Sequence, residues 1–373
     1  MKPHLIPDLR PAGGAPDTVV HLVPALFDAS DGIIGGAERY VFELARHMAD
    51  VLPTRLVTFG NRAREERAGS LQIRVIANPW LVRGQRSNPV SAAVSGEVRR
   101  AAVVHCHQQH VLASSLAAVT ARMLGRRVFC TDLGGGGWDV SAYVSTDRWY
   151  HGHLHISEYS RKVAGHQGKP WAHVVLGGVD SSRFSPGPPA ERDGTVLYVG
   201  RLLPHKGVND LIDALDPDVP AQIIGPAPDP RYLEELRSRA AGKRIRFRPD
   251  CDDEALVVAY RRAACVVLPS VYRDVYGGET RVPELLGQTL LEAMACGTPG
   301  LCTDVASLPE VVDHGRTGLV VPPNDVGALR AAIRWMRNHP DERLRMGERG
   351  RSRVIERFNW ATVVRRCIEA YAA

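Results

Sequence analysis

Two glutamates in the second half of this 373-residue chain have a spacing that could serve ligand binding. Glu284 and Glu292 are separated by seven residues, and the second lies in a short apolar segment. We expect a helix to begin near Thr289. It would direct N–H groups near Thr289 and Leu290, together with the positive end of the helix dipole, towards a phosphate. Glu292 could then accept hydrogen bonds from both hydroxyls of a ribose, with Glu284 in the preceding loop beside a sugar.

The same segment also has a purely structural explanation. Thr289 and Glu292 have the spacing of a capping box, in which the carboxylate would only accept a hydrogen bond from the backbone N–H of Thr289. The residues of this segment alone leave both interpretations open.

Two basic residues follow a predicted strand at the start of the second half. The strand ends at Gly200, and Arg201 and Lys206 follow in a short loop that leads into a helix. A planar guanidinium and a compact ammonium at the end of a strand suit a diphosphate. Only five of the 47 basic residues are lysines, which favours a specific role for Lys206 over the alternative of a solvated basic loop.

Two glycine-rich stretches in the first half could lie against a ligand. Gly35 and Gly36 open the predicted helix Ala37–Asp50, where a glycine turn would let the backbone approach a phosphate. Asp132 begins a segment with four consecutive glycines, which we expect to be a mobile loop after a strand. An ordinary turn and a plain linker are the respective alternatives.

Histidines occur in two groups whose spacings a metal ion could use. The groups are His105, His107 and His110, and His151, His153 and His155. Neither has acidic residues close by in the sequence to orient the imidazoles, so we favour buried or cleft-lining imidazoles and predict no metal site. The first group ends a predicted strand, so we further expect its histidine pair to alternate in side.

Alternation of apolar strands and helices predicts an α/β fold with two doubly wound parallel-sheet (Rossmann-like) domains facing across a cleft. The expected domains are residues 1–178 on the acceptor side, a linker at 179–194 that is rich in Pro, Gly and Ser, residues 195–355, and a C-terminal helix at 356–373. The predicted strands are 18–23, 54–59, 71–76, 103–106, 128–131, 154–157, 173–176, 195–199, 221–224, 245–247, 265–269, 300–303 and 319–321. Further helices are predicted at 207–215, 230–241, 253–263, 289–296, 330–336 and 342–373.

Composition limits the function classes. No run of about 18 apolar residues is present, and the N-terminus lacks an apolar signal region, so we expect a cytoplasmic protein without a membrane span. Seven scattered cysteines without a C-x-x-C pair indicate reduced thiols. The net charge of +6 arises in residues 1–185, with 21 basic and 15 acidic residues, because the remainder holds 26 of each. The excess of basic residues in this half could form a surface that binds an anionic membrane or an anionic acceptor. The alternative is an ordinary solvated surface.

Four segments together resemble glycosyltransferase family four, whose members are retaining, metal-independent enzymes of the GT-B fold. The segments are Gly35–Glu38, Val199–Gly207, Pro283–Pro299 and Asp313–Asp325. The resemblance extends over nearly the whole chain and is strongest from about 195 to 325.

The resemblance implies a role for each matching residue. Arg201 and Lys206 would neutralise the donor diphosphate, Glu292 would hold the ribose, and Glu284 would lie beside the transferred sugar. Gly35 and Gly36 would admit the phosphates from the other domain, and the helix after Phe358 would cross back to the first domain. One position departs from the family. The family's histidine after the strand at 128–131 is absent, and Asp132 or Leu133 takes its place, which puts the sugar-side contacts in doubt.

These observations predict a hexosyltransferase that moves a sugar from a nucleotide-diphosphate-sugar donor to a hydroxyl of a saccharide or lipid-linked acceptor, as in polysaccharide biosynthesis. No cofactor is expected, and nucleic acid is not an expected partner. Peripheral contact with the inner face of an anionic membrane is a further expectation. The alternatives are a nucleotide-sugar epimerase or hydrolase of the same fold, and a nucleotide-sugar-binding subunit with weak activity.

Overall fold

The computed structural model describes residues 18–27, 36–134, 137–188 and 192–373. It divides into two compact units, one that runs to Gly177 and also includes Trp360–Ala373, and one that comprises Gly178–Asn359. The sequence also suggests a linker at 179–194 and a C-terminal segment that begins at 356. Both of these boundaries stay predictions. All seven cysteines are free thiols.

The strands form two large sheets and one small one. Their bounds are β1 (Val19–Leu26), β2 (Thr54–Gly60), β3 (Arg64–Ala68), β4 (Leu71–Ala77), β5 (Trp80–Leu81), β6 (Pro89–Val90), β7 (Val103–His107), β8 (Arg127–Thr131), β9 (Gly152–His155), β10 (Ala172–Val174), β11 (Thr195–Val199), β12 (Ala221–Ile224), β13 (Ile245–Arg248), β14 (Ala263–Leu268), β15 (Gly300–Thr303) and β16 (Gly318–Val321). The sheet of the first unit has the order β10-β9-β8-β7-β1-β2-β4-β3, and that of the second has the order β13-β12-β11-β14-β15-β16. Every pairing is parallel except β3 with β4, and β5 pairs with β6 as a separate antiparallel ribbon.

The helices lie between the strands along the chain. They are α1 (Gly36–Ala49), α2 (Val94–Arg99), α3 (Leu112–Met123), α4 (Glu158–Val163), α5 (Val208–Ala214), α6 (Pro230–Arg239), α7 (Asp253–Arg262), α8 (Gln288–Ala295), α9 (Leu308–Val311), α10 (Val326–Asn338), α11 (Pro340–Arg357) and α12 (Trp360–Ala372). The buried face of α1 includes Val41, Leu44, Ala45 and Met48, as its apolar spacing predicts.

Each large sheet is doubly wound, as predicted. In the first unit the chain runs from β1 to β2 and β4 on one side, and then from β7 to β10 on the other. In the second unit it runs from β11 to β13 on one side and from β14 to β16 on the other. The winding direction therefore reverses between β1 and β7 and between β11 and β14. Open α/β sheets bind ligands beyond the carboxyl ends of the strands at such points.

Among the features that differ from the sequence-based expectation, three concern a strand end, a helix break and an edge strand. Strand β9 begins at Gly152 and ends at His155, and not at Ser157, because the Ser157 hydroxyl accepts a hydrogen bond from the Ser160 backbone and caps α4. The helix expected at 342–373 is broken near Asn359 into α11 and α12. Strand β3 was not predicted, because its polar residues Arg64–Arg67 show no apolar pattern; they form an exposed sheet edge.

The packing of α11 against the loop after α8 gives a stability test. A Cβ atom at Gly347 would lie 2.0 Å from the carbonyl oxygen of Gly297, so the helix must approach this backbone without a side chain. We expect Gly347→Ala to reduce the free energy of unfolding by about 1–3 kcal/mol, measured by urea unfolding.

Gly96→Ala in α2 is the control, because a Cβ atom there meets no atom within 4 Å. It should leave the protein as stable or raise the free energy of unfolding by about 0.5–1 kcal/mol. A Gly347→Ala variant as stable as the parent would show that α11 does not pack this closely.

Candidate functional site

The loops after β11 and β14 meet where the winding of the second sheet reverses. Arg201 and Lys206 lie in the loop between β11 and α5, and Ser270 and Glu284 lie in the connection between β14 and α8. Arg201 is exposed, and Lys206 and Glu284 are partly buried. The structure thus brings Lys206 and Glu284 together at the edge where a ligand is expected.

An ion pair joins these two loops. The Lys206 Nζ atom lies 2.6 Å from Oε1 of Glu284 and also donates to the carbonyl oxygen of Pro283 at 2.9 Å. The same carboxylate oxygen accepts a hydrogen bond from the Ser270 hydroxyl at 3.0 Å. The two charged side chains are only 15% and 13% exposed. The ammonium and the carboxylate are therefore held in fixed positions.

The loop with Lys206 is positioned by a close backbone contact. Gly207 has φ +64°, and a Cβ atom there would lie 2.0 Å from the carbonyl oxygen of Pro269. The backbone N–H of Val271 donates to the carbonyl oxygen of His205 at 2.9 Å. Burial, with the neighbouring Lys206 ammonium, lowers the pKa of His205, which keeps this imidazole neutral.

Helix α8 begins one residue earlier than expected. Gly287 is its N-cap with φ 81°, no side chain caps the helix, and Gln288 is the first helical residue. Thr289 is therefore inside the helix, and the capping-box explanation for Glu292 is wrong. The backbone N–H of Leu290 donates to the carbonyl oxygen of Gly287 at 3.0 Å. The N–H of Thr289 belongs to the first turn, where helix geometry supplies no acceptor.

Glu292 is held inside the second unit. Its side chain is 4% exposed, and its Oε2 atom accepts a hydrogen bond from the Tyr260 hydroxyl at 2.8 Å. Tyr260, from α7, is fully buried. This partner could not be identified from sequence patterns, because the two residues are 32 positions apart and on different helices. The tyrosine fixes the orientation of the carboxylate.

The candidate residues of the first unit lie at the carboxyl edge of its sheet. Gly36 is the exposed first residue of α1, and Gly35 lies outside the described residues. Asp132 follows β8, and its Oδ1 atom accepts a hydrogen bond from the Gly134 backbone at 3.3 Å. A small cavity at this edge is lined by Ala37, His107 and Leu133, among others. The start of α1 and the loop after β8 therefore meet there.

The glycine-rich loop after β8 is partly described. Gly135 and Gly136 lie outside the described residues, so the expectation of a mobile loop has no test at these two positions. Gly137 is fixed, because its N–H donates to the carbonyl oxygen of His110 at 3.0 Å. A Cβ atom at Gly137 would lie 2.6 Å from Nδ2 of Asn88.

The first histidine group differs from the expectation. His105 and His107 lie on the same side of the sheet, because residues two apart on a strand share a face, so the predicted alternation is wrong. His21 of β1 joins them, since it pairs with His105 across the strands. All three are at most 1% exposed, and burial lowers their pKa values, that of His21 to about 3. Sequence spacing could not reveal His21, which is far away in the chain.

Histidines of the second group also gain partners from elsewhere. His155 Nε2 lies 3.1 Å from Nδ1 of His166, and His153 Nε2 lies 3.2 Å from the carbonyl oxygen of Asp147. Both His153 and His155 are at most 5% exposed. His151 lies apart from these two, and its Nδ1 atom accepts a hydrogen bond from the Val128 backbone at 3.0 Å.

None of the helices in the described ranges has the length and apolar character needed to cross a bilayer.

Comparison with known proteins finds a family that resembles most of the second unit. Residues 180–353 match the family described as Glycosyl transferases group 1. Curated relatives include a glycogen synthase of Mycobacterium tuberculosis, 32% identical over 209 residues, which cover 54% of this chain and 48% of that protein. An alpha-maltose-1-phosphate synthase of Mycolicibacterium smegmatis is 33% identical over 227 residues, covering 53% of this chain and 56% of that protein. The chain thus spans about half the length of the curated relatives it matches.

Solved structures resemble the whole chain. HepE of Anabaena in complex with UDP and glucose has a TM-score of 0.73 at 20% identity, covering 94% of this chain and 98% of that one. Sucrose-phosphate synthase from Thermosynechococcus elongatus has a TM-score of 0.70 at 22% identity, covering 93% and 96%. These similarities establish the fold as GT-B with two Rossmann-like domains.

The buried histidines of the second group predict sensitivity to acid. Burial lowers the pKa of His153 to about 4 and that of His155 to about 3, from an ordinary value of 6.5. Their contribution to stability is complete above pH 6.5 and is lost as the pH falls towards the folded-state values, because the unfolded chain binds the protons more strongly. At pH 5 each should cost about 2 kcal/mol of unfolding free energy, measured by urea unfolding from pH 8 to 4.5.

His155→Gln should make this pH dependence shallower by about one proton. His339→Gln, at an exposed position, is the control and should leave the dependence unchanged. An equal slope in the parent and in His155→Gln would contradict the assignment of a neutral buried His155.

Proposed function

We propose that this chain, whose residues 180–353 match the family of group 1 glycosyl transferases, is a retaining hexosyltransferase that uses a nucleoside-diphosphate sugar. The acceptor is a hydroxyl of a saccharide or of a lipid-linked saccharide. The observation that carries the proposal is the arrangement of Arg201, Lys206 and Glu284 at the reversal point of the second sheet, where α/β sheets bind ligands. The family match favours transfer over the epimerase alternative.

Lys206 and Arg201 supply the positive charge for the leaving group. As the glycosidic bond breaks, negative charge grows on the diphosphate and positive charge grows on the anomeric carbon. Lys206 is already fixed by Glu284 and by the Pro283 carbonyl oxygen, so little reorganisation is needed when the charge develops. The exposed guanidinium of Arg201 can bind two phosphate oxygens with its planar fork.

Helix α8 supplies the second half of the donor site. Its Gly287 cap leaves the N-terminus open, so the N–H of Thr289 and the helix dipole can face a phosphate. The N–H of Leu290 already donates to Gly287, so it is the weaker of the two candidates. Glu292, which Tyr260 orients, is then the acceptor for the ribose hydroxyls.

The first unit contributes the acceptor side and part of the donor phosphate contact. Gly35, Gly36 and Asp132 are proposed to lie against the donor phosphates and sugar. Support comes from the cavity at the carboxyl edge, where the start of α1 adjoins the loop after β8. No histidine follows β8 directly at Asp132 or Leu133, and on the neighbouring strand β7 His107 pairs with Thr131, the last residue of β8.

The identity of the donor is suggested only by relatives. One solved neighbour was crystallised with UDP and glucose, and one curated relative is a GDP-mannose-dependent mannosyltransferase acting on a phosphatidylinositol mannoside. These names support a nucleoside diphosphate as the common element. They also make a lipid-linked acceptor a reasonable candidate, so we include peripheral contact with an anionic membrane at the cytoplasmic face in the proposal.

Lys206→Ala tests the donor site. We expect UDP-sugars or GDP-sugars, screened one by one, to raise the melting temperature of the parent, because a ligand that binds only the native state stabilises it. With the donor that binds and an acceptor panel, Lys206→Ala should lose about a hundredfold or more in transfer rate, equivalent to about 3 kcal/mol of transition-state stabilisation.

Lys169→Ala is the matched control, because Lys169 is an exposed lysine of the other unit. The double variant Lys206→Ala/Glu284→Gln separates catalysis from folding, since it removes both charges of the pair. If no nucleoside diphosphate or its sugar shifts the melting temperature, the function is wrong. If Lys206→Ala transfers at the parent rate, the diphosphate assignment is wrong.

Trp80 offers a test of the membrane contact. It is 62% exposed, and Arg83 follows in the same loop, stacked over Trp138 with its guanidinium 4.4 Å from the ring centre. An amphipathic ring beside basic groups suits the interface of an anionic bilayer.

We expect vesicles containing phosphatidylserine to bind the parent more strongly than neutral vesicles, and Trp80→Ala to lose at least half of that binding. Tyr276→Ala, at an exposed aromatic residue of the other unit, is the control. Equal binding to neutral vesicles, or none to either, would exclude the contact.

A further inference from the structure

Three imidazoles converge inside the first unit in a way that the transfer reaction does not require. The ring centres of His21, His105 and His107 are 5.2, 5.1 and 4.2 Å apart in pairs. One nitrogen from each ring lies within 4.8 Å of the others. We propose that these three histidines form a binding site for one late first-row transition-metal ion of the zinc class, which stabilises the first unit and takes no part in transfer.

The hydrogen bonds of the cluster fix its tautomers. His21 Nε2 lies 3.3 Å from the sulfur of Met48, which can only accept, so this nitrogen carries the hydrogen. Its Nδ1 atom then carries a lone pair and accepts a hydrogen bond. The donor is Nε2 of His107, which lies 2.8 Å away. His107 Nδ1 is consequently a bare lone pair.

That lone pair is the observation that a simple hydrogen-bond network leaves unexplained. His107 Nδ1 is buried and has no hydrogen-bond partner among the described residues. An unsatisfied buried polar atom costs about 1–3 kcal/mol, and such atoms often mark an ion or a water.

A metal ion between His21 and His107 would replace the hydrogen bond that joins their rings, without adding or losing a proton. The lone pair of His21 Nδ1 is already directed at the site. The proton of His107 moves from Nε2 to Nδ1, which frees Nε2 to bind the ion while the ring stays neutral. The two nitrogens are 2.8 Å apart, and two ligands of one tetrahedral zinc ion are about 3.4 Å apart, so a shift of about half an ångström suffices.

The third ligand is available by rotation of a hydroxyl. His105 Nδ1 lies 2.7 Å from the Tyr371 hydroxyl, and its Nε2 atom lies 2.8 Å from the Thr131 hydroxyl. A hydroxyl can donate or accept, so one of these contacts can release a ring nitrogen while the other continues to orient the ring, as outer partners of metal-bound histidines do. The residues around the trio thus come from α1, β8 and α12.

The donor set selects the class of ion. Three neutral nitrogens suit zinc, cobalt, nickel or copper, whereas magnesium and calcium need oxygen ligands. No carboxylate of the described residues is hydrogen-bonded to the three rings, so the ion keeps its positive charge in an apolar core, and affinity must come from the nitrogens alone. The burial of all three rings also requires the ion to enter during folding or local opening.

Untagged protein, unfolded and refolded with one equivalent of Co²⁺ or Zn²⁺, tests the site. We expect about one ion per chain after gel filtration, visible d–d absorption from Co²⁺ that indicates fewer than six ligands, and a higher melting temperature than in protein refolded with a chelator. His107→Leu should bind at least tenfold less metal and should fold without metal at least as stably as the chelated parent, because it removes the unpartnered nitrogen.

His166→Leu is the matched control, since it removes one imidazole from the other buried pair, His155 and His166. It should keep the metal content and the Co²⁺ spectrum of the parent. The proposal is overturned if the refolded parent holds less than about a tenth of an equivalent of either ion. It is also overturned if the binding persists in His107→Leu and is lost in His166→Leu.

Discussion

The ion pair between Lys206 and Glu284 is the interaction on which the candidate site depends. It connects the loop after β11 to the segment that enters α8, and these are 78 positions apart in the chain. A charge that is only about a seventh exposed would be costly alone, and each member of the pair offsets part of that cost for the other. Gly207 permits the close backbone contact that brings the ammonium to this position. The pair therefore acts both as a structural connection and as the part of the site that holds its charge in place.

This arrangement has a consequence for donor binding. In the donor site that we propose, Lys206 is engaged before a donor arrives, so a phosphate would have to share or replace the bond to Glu284. Lys206 would then contribute less binding free energy to the bound donor than an unpaired lysine would. Its attraction to the leaving diphosphate would increase as that group becomes more negative. Interactions that strengthen only in the transition state accelerate the reaction, whereas equally strong ground-state contacts do not. The paired lysine is thus suited to catalysis more than to tight binding.

The sequence predicted the parts of the structure that depend on local patterns. Apolar runs such as Thr18–Val23 located most strands. Glycines such as Gly200 and Gly287 located the loop with the two basic residues and, to within a residue, the start of α8. It did not predict β3, whose residues are polar because one edge faces water. It also missed Tyr260 and His21, because a contact between distant segments follows from the order of strands in the sheet. The resemblance to a family supplied the roles, and the roles of individual residues still rest on it.

The two reversal points carry different chemistry although the sheets are wound alike. In the second unit the point holds an ammonium, a carboxylate and an exposed guanidinium, which suits a ligand whose charge changes. In the first unit the strands that flank the point, β1 and β7, hold three neutral imidazoles, and burial keeps them neutral down to low pH. Neutral rings inside a sheet cannot attract a diphosphate, so they do not duplicate the proposed donor site. Burying the three imidazoles costs free energy, which is offset where their nitrogens bind a partner. Helices α1 and α12 contact the cluster directly through Met48 and Tyr371, so a ligand that binds the imidazoles would also stabilise these two helices.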